Sequence, residues 1–194
     1  MASTSASSPE RRIPLGAARP LSGIMSSSDS ESTTDKIYRE ANVRFIQGMI
    51  VHHAQALEMT ALVQKHASTE AVKQIARRME TSQGHEIELM EAWLRNNREP
   101  LRMPDMNGQL PMAGMLTQEQ MRELSVARGV GFDTLFLEFM IEHHLGANEM
   151  VVSLSSASGM ERTSTVVKFA EEVDVDQAIE IQRMLAILEG FRSR

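Results

Sequence analysis

Cysteine is absent from this 194-residue chain, which removes disulfides, thiolate zinc sites and iron–sulfur clusters. Aromatic residues are scarce, with one Trp, one Tyr and six Phe. An excess of positive charge is missing too. Twenty Lys and Arg face 26 Asp and Glu, a net charge of −6, which leaves no basic face for nucleic acid. No apolar run approaches the roughly 20 residues needed to span a bilayer, so no transmembrane segment is expected. What remains is a chain that is 42% hydrophobic and long enough for one ordinary domain with a sizeable core. Against its few aromatics stand 15 methionines. Methionine in excess fills gaps in cores, so position matters here more than number.

The positions are repeated. Residues 45–59 read FIQGMIVHHAQALEM and residues 136–150 read FLEFMIEHHLGANEM. At an offset of 91, Phe45, Met49, Ile50, His52, His53, Ala56, Glu58 and Met59 fall on Phe136, Met140, Ile141, His143, His144, Ala147, Glu149 and Met150. Duplicated packing explains a repeated Phe, Ile or Ala. It does not explain four of six histidines arriving as two His-His pairs bracketed by methionines. Imidazole nitrogen and thioether sulfur are metal-ligand types, softest at the sulfur end, and they point to copper. A second match, at offset 94, sets Gln83, Glu86, Ile87, Met90 and Leu94 against Gln177, Glu180, Ile181, Met184 and Leu188.

Residues 1–32 are rich in Ser with scattered Pro, Gly and Arg, a composition expected to be disordered. The stretch Ile13–Met25 is interrupted by Pro14, Arg19 and Pro20, so no signal-peptide core is legible. The bundle is expected over 33–194. Its first hairpin occupies 34–96, with Ser68 and Thr69 capping the second helix. A Met-rich loop follows over 97–116, containing Met103, Met106, Met112 and Met115. Thr117 to Gln120 forms a capping box that opens a short helix over 117–128. The second hairpin spans 133–192, with Asp133 as a cap and Ser158-Gly159 as a stop between its helices. Two duplicated helical hairpins with a short extra helix between them give an all-α, ferritin-like four-helix bundle.

Helical spacing of about 100° per residue puts His52 and His53 on either side of the apolar stripe that carries Met49, Ala56 and Met59. On the second helix Gln83, Glu86 and Met90 share a face with Ile87 and Leu94, and the last helix repeats this with Gln177, Glu180 and Met184. A carboxylate on a core stripe costs several kcal/mol unless paired or ligated. The candidate metal ligands are therefore Met49, His52, His53, Met59, Glu86, Met90, Met140, His143, His144, Met150, Glu180 and Met184. Glu86 and Glu180 either accept hydrogen bonds from the imidazoles, fixing their tautomers, or ligate directly. The competing reading is that the methionines are core filler and the imidazoles packed. The loop methionines either hold monovalent copper or fold as a lid. His66 and His85 have no repeat partners and are expected in solvent.

The doubled F-x3-M-I-x-H-H-x2-A-x-x-M pattern, with Q-x2-E-I-x2-M twice, resembles the bacterial "domain of unknown function 305" family over about 45–190. That resemblance implies a ferritin-like bundle, usually exported to the periplasm or cell surface, with some members binding copper through His and Met. A cytoplasmic location stays open, since no export signal is legible. Copper sequestration, transfer or resistance is the leading function. Its partners would be the metal ion and a copper-handling protein, and homo-oligomerisation is left open. One alternative is an oxidoreductase with two iron or manganese ions, although that chemistry usually uses Glu-x-x-His, which the inner stripes lack. The other is a structural or interaction bundle without metal. On ligand count the chain leans away from catalysis.

Overall fold

In the computed structural model, residues 33–102, 112–158 and 165–193 are described. The Ser-rich segment 1–32 and the loop methionines Met103 and Met106 lie outside the described residues. Five helices account for the rest: α1 Thr33–His66, α2 Glu70–Asn96, α3 Gln118–Val126, α4 Gly129–Ser158 and α5 Thr165–Arg192. No strand occurs among the described residues, and no helix among them is long and apolar enough to cross a membrane. Helix α1 packs on α2 and α4, and α5 packs on α4 and α2, closing a four-helix ring. One apolar cluster joins the start of α1 to the end of α4 through Phe45, Ile46, Val151 and Leu154. Its counterpart joins Met59 and Val63 to Phe132 and Phe136. Helices α1 and α4 are therefore antiparallel, and so is each hairpin. The chain between α2 and α4 must then travel the length of the bundle, the single long crossover of ferritin-like folds.

Local chemistry sets the helix ends. At the close of α2, Glu99 N donates to Leu94 O at 2.9 Å and Arg98 N to Arg95 O at 3.1 Å. Arg98 holds φ 59°. This is a Schellman motif with arginine where glycine is usual. The Thr117–Gln120 capping box forms as the sequence predicts. Asp133 does not act as predicted. Helix α4 begins four residues earlier, at Gly129, and Asp133 is fully buried against the start of α2. Its carboxylate accepts from Ser68 N at 3.1 Å, Ser68 Oγ at 2.7 Å, Thr69 N at 2.9 Å and Thr69 Oγ1. Thr69 occupies the N-cap position of α2 but makes no side-chain cap of its own. The Thr69 hydroxyl donates to Asp133 instead, and a buried carboxylate near a helix start is favoured by the helix dipole, so the other hairpin fixes the residues that lead into α2.

Candidate metal centre

The two apolar clusters meet a polar layer at mid-bundle. Along α1, Phe45, Ile46 and Met49 belong to one cluster and Ala56, Met59 and Val63 to the other, with His52 and His53 between them. The same interruption falls at His143 and His144 in α4, Gln83 and Glu86 in α2, and Gln177 and Glu180 in α5. All four imidazoles are at most 1% exposed. The pseudo-twofold relation of the hairpins brings His52 and His143 face to face, with ring centroids 3.7 Å apart and planes inclined by 38°.

Each outer imidazole is held by the carboxylate of its own hairpin. His53 Nε2 lies 2.5 Å from Glu86 Oε2, and His144 Nε2 lies 2.7 Å from Glu180 Oε2. His52 Nε2 lies 3.1 Å from the Ala113 carbonyl oxygen. Carboxylate and carbonyl oxygens accept, so in the neutral form of each of these three rings the proton sits on Nε2 and the lone pair on Nδ1. Those three Nδ1 atoms are buried without a protein partner, as are both ring nitrogens of His143, both amide atoms of Gln83 and Oε1 of Gln177. A buried polar atom left unpaired costs about 1–3 kcal/mol. Eight of them fall in one layer, and the imidazole lone pairs among them are the form in which histidine binds metal.

Electrostatics keep the inner pair neutral. Burial, then the neighbouring His53, lowers the His52 pKa from 6.5 to about 3, against the opposing pull of the Ala113 carbonyl. Burial, then His52, holds His143 well below the ordinary range. On the α2/α5 side the exposed Asp176 is pushed up by desolvation and then by the charges of Glu86 and Glu180.

Thioethers flank the layer on both sides. Met49 and Met90 sit in one cluster with Met150 packed against it, while Met59, Met140 and Met184 sit in the other. Of the candidate ligands, Met49, Met59, Met90, Met140 and Met184 are buried and Met150 is only half-buried, on the α1/α4 surface. Among the described residues, no three His, Asp or Glu side chains converge closely enough to hold a metal ion between them. His85 is exposed as expected. His66 is not free in solvent: it is half-buried, edge-on to Phe132 at 5.2 Å, and accepts from Arg128 at 3.0 Å.

Sequence reasoning missed the crossover. Ala113 to Leu116 runs against the layer as a strap. Gln55 grips Leu116 twice, accepting from its amide at 2.7 Å and donating to its carbonyl at 3.0 Å. Gly114, at φ +75°, sits so close to α4 that a Cβ there would stand 2.6 Å from the Glu142 carbonyl oxygen. A Cβ on Gly146 would lie 2.1 Å from the Ala113 carbonyl oxygen. Gln55 and Gly146 are equivalent positions of the repeat, 91 apart. A glycine inside a long helix costs about 1 kcal/mol relative to alanine, and that was the available signal.

The family model for the domain of unknown function DUF305 matches residues 42–188. Solved structures share the fold. A candidate secreted DUF305 protein from Streptomyces coelicolor is 26% identical, with a TM-score of 0.68 over 77% of this chain and 91% of that one. A DUF305 fragment from Deinococcus radiodurans is 30% identical, also at 0.68, over 77% and 95%. CopM in its Cu(I)-bound form is 23% identical, at 0.61, over 77% and 96%. No functionally curated protein matches the sequence.

Proposed function

The chain belongs to the DUF305 family, and on that premise we propose that it binds copper, sequestering the ion or passing it on rather than turning over a substrate. The observation that carries this reading is the mid-bundle layer, where two imidazole pairs present unpartnered Nδ1 atoms between thioether groups from both hairpins. His52, His53, His143 and His144 would supply nitrogen, and Met49, Met59, Met90, Met140, Met150 and Met184 sulfur. Thioether groups flank the imidazoles on both sides of the layer, and sulfur beside nitrogen favours a soft ion over iron or manganese. Glu86 and Glu180 act as acceptors that fix the outer imidazoles, the role that commonly orients a metal-ligating histidine.

The resemblance to CopM, solved in Cu(I)-, Cu(II)- and Ag-bound forms, supports the choice of metal. The candidate secreted relative supports a place outside the cytoplasm, where a partner protein would receive or deliver the ion. The test is a titration of tag-free protein with Cu(I), Ag(I), Zn(II) and Fe(II), with bound metal measured by native mass spectrometry. Copper and silver should bind tightly. The His52→Ala/His53→Ala/His143→Ala/His144→Ala variant should lose them while staying helical. Equal binding by that variant, or preference for iron, would overturn the proposal.

A further inference from the structure

The four imidazoles are buried, so an ion needs a way in to them. The outer face between α1 and α4 carries a groove of about 540 Å3, lined among others by Glu40, Phe45, Ala113, Glu149 and Met150. Ala113 is the residue whose carbonyl oxygen sits 3.1 Å from His52 Nε2. The same strap therefore faces the groove and touches the buried imidazole, and at this point the two are parted by one stretch of backbone. Met150 is the half-buried member of an otherwise buried thioether set, and it lies in this groove. Two carboxylates, Glu40 and Glu149, accompany it beside Arg44.

Among the described residues, few polar groups hold the strap. Gln55 makes two hydrogen bonds to Leu116 and His52 one to Ala113. Met115 N donates to Met112 O at 3.2 Å, a turn internal to the strap. Gly114 and Gly146 give the backbone room to lie flat but add no side-chain anchor. Leu116 is anchored in an apolar cluster, whereas the half-buried Ala113 end is tied to the layer by one hydrogen bond of modest net worth, so the Ala113 end is the part of the strap that opens. When the Ala113 carbonyl leaves, His52 becomes free to turn toward the groove.

From this we infer that the α1/α4 groove is the entrance for the metal ion, with Met150 as its first thioether and the Ala113–Leu116 strap as the gate. The inference rests on the copper reading above. It separates that reading's equilibrium content from a rate: strap and groove control how fast the ion arrives, and the layer controls how much is held. On the α2/α5 side the charges of Glu86 and Glu180 reach Asp176, and a cluster of carboxyl groups suits protons better than a soft cation. The α2/α5 groove that Met90 lines lacks, among the described residues, a strap that touches a buried imidazole.

The experiment is stopped-flow uptake of Ag(I), followed by fluorescence of Trp93, the sole tryptophan. Three proteins are compared: wild type, Gln55→Ala to loosen the strap, and Ser153→Phe to fill the groove from an exposed position. Gln55→Ala should take up silver about tenfold faster, the effect of losing roughly one net hydrogen bond. Ser153→Phe should be several-fold slower, and all three should hold the same silver at equilibrium by mass. Hydrogen exchange at the Leu116 amide should quicken in Gln55→Ala, showing that the strap was released in a folded protein. Uptake rates unchanged in both variants, with normal final loading, would overturn the entrance and leave copper binding standing. Absence of silver and copper binding in the wild type would overturn both.

Discussion

His52 and His143, the same residue of the two hairpins, stack with their ring centroids 3.7 Å apart inside the bundle. Neither has a carboxylate partner, so protonating either puts a positive charge into a buried site. The His52 pKa falls from 6.5 to about 3, and His143 is lowered for the same reason, burial first. The sign follows from linkage: the unfolded chain binds protons at these rings below 6.5 and the folded one does not, so stability is lost as pH drops below that value. For His52 alone the loss is about 2 kcal/mol at pH 5. Urea midpoints measured from pH 7.5 to pH 5 should decline through this window. The decline should shrink in His52→Phe/His143→Phe, leaving the smaller share of His66, whose pKa is also lowered by burial and then Arg128. A flat profile in the wild type would contradict the neutral stacked pair.

Glu86 and Glu180 hold the outer imidazoles at 2.5 and 2.7 Å. Replacing both by Gln keeps size and a hydrogen-bonding oxygen but removes the charge that fixes Nε2–H and raises the basicity of Nδ1. Copper affinity should fall about 10–100-fold with helicity unchanged. Competition against a chromophoric Cu(I) chelator measures it. An unchanged constant would mean that these carboxylates serve the fold alone.

Binding to the folded state also stabilises it. Free Cu(I) at 100 times its dissociation constant should add about 2.7 kcal/mol, which for a chain of this size raises Tm by roughly 5–11 °C. Zn(II) at equal concentration should do less. Thermal scans with and without each metal, repeated on the four-histidine variant, separate specific binding from a salt effect.

Much of this was legible in the residues. The offset-91 and offset-94 repeats gave the two hairpins and placed His52, His53, His143, His144, Glu86 and Glu180 on inward faces, and the structure puts them in one layer. Sequence periodicity sees only one helix at a time, and each miss is a contact between distant segments. Asp133 reads as a cap for its own helix because a carboxylate before an apolar run usually is one. Its true partners, Ser68 and Thr69, lie about 65 positions away. Met150 shares the stripe position of Met59, yet on the α1/α4 surface it is left half-buried. Gly146 shares the position of Gln55, and only the crossover backbone lying on both explains why one is a clamp and the other has no side chain.

Asp133 offers the sharpest test of the fold apart from the site. Its buried carboxylate takes four hydrogen bonds from the start of α2, tying the second hairpin to the first at the end of the bundle marked by Phe132 and Val63. Asp133→Ala removes all four and leaves the Ser68 and Thr69 amides without that acceptor. The expected cost is about 3 kcal/mol, or a Tm lower by roughly 6–12 °C. Asp133→Asn keeps one accepting oxygen and should lose about half as much. Because the histidine layer lies several turns away, copper stoichiometry should be the same in both variants at a temperature where they are folded. Calorimetry gives the first quantity and native mass spectrometry the second. A loss of copper in folded Asp133→Asn would mean that the relative placement of the hairpins, and not only the four imidazoles, sets the site.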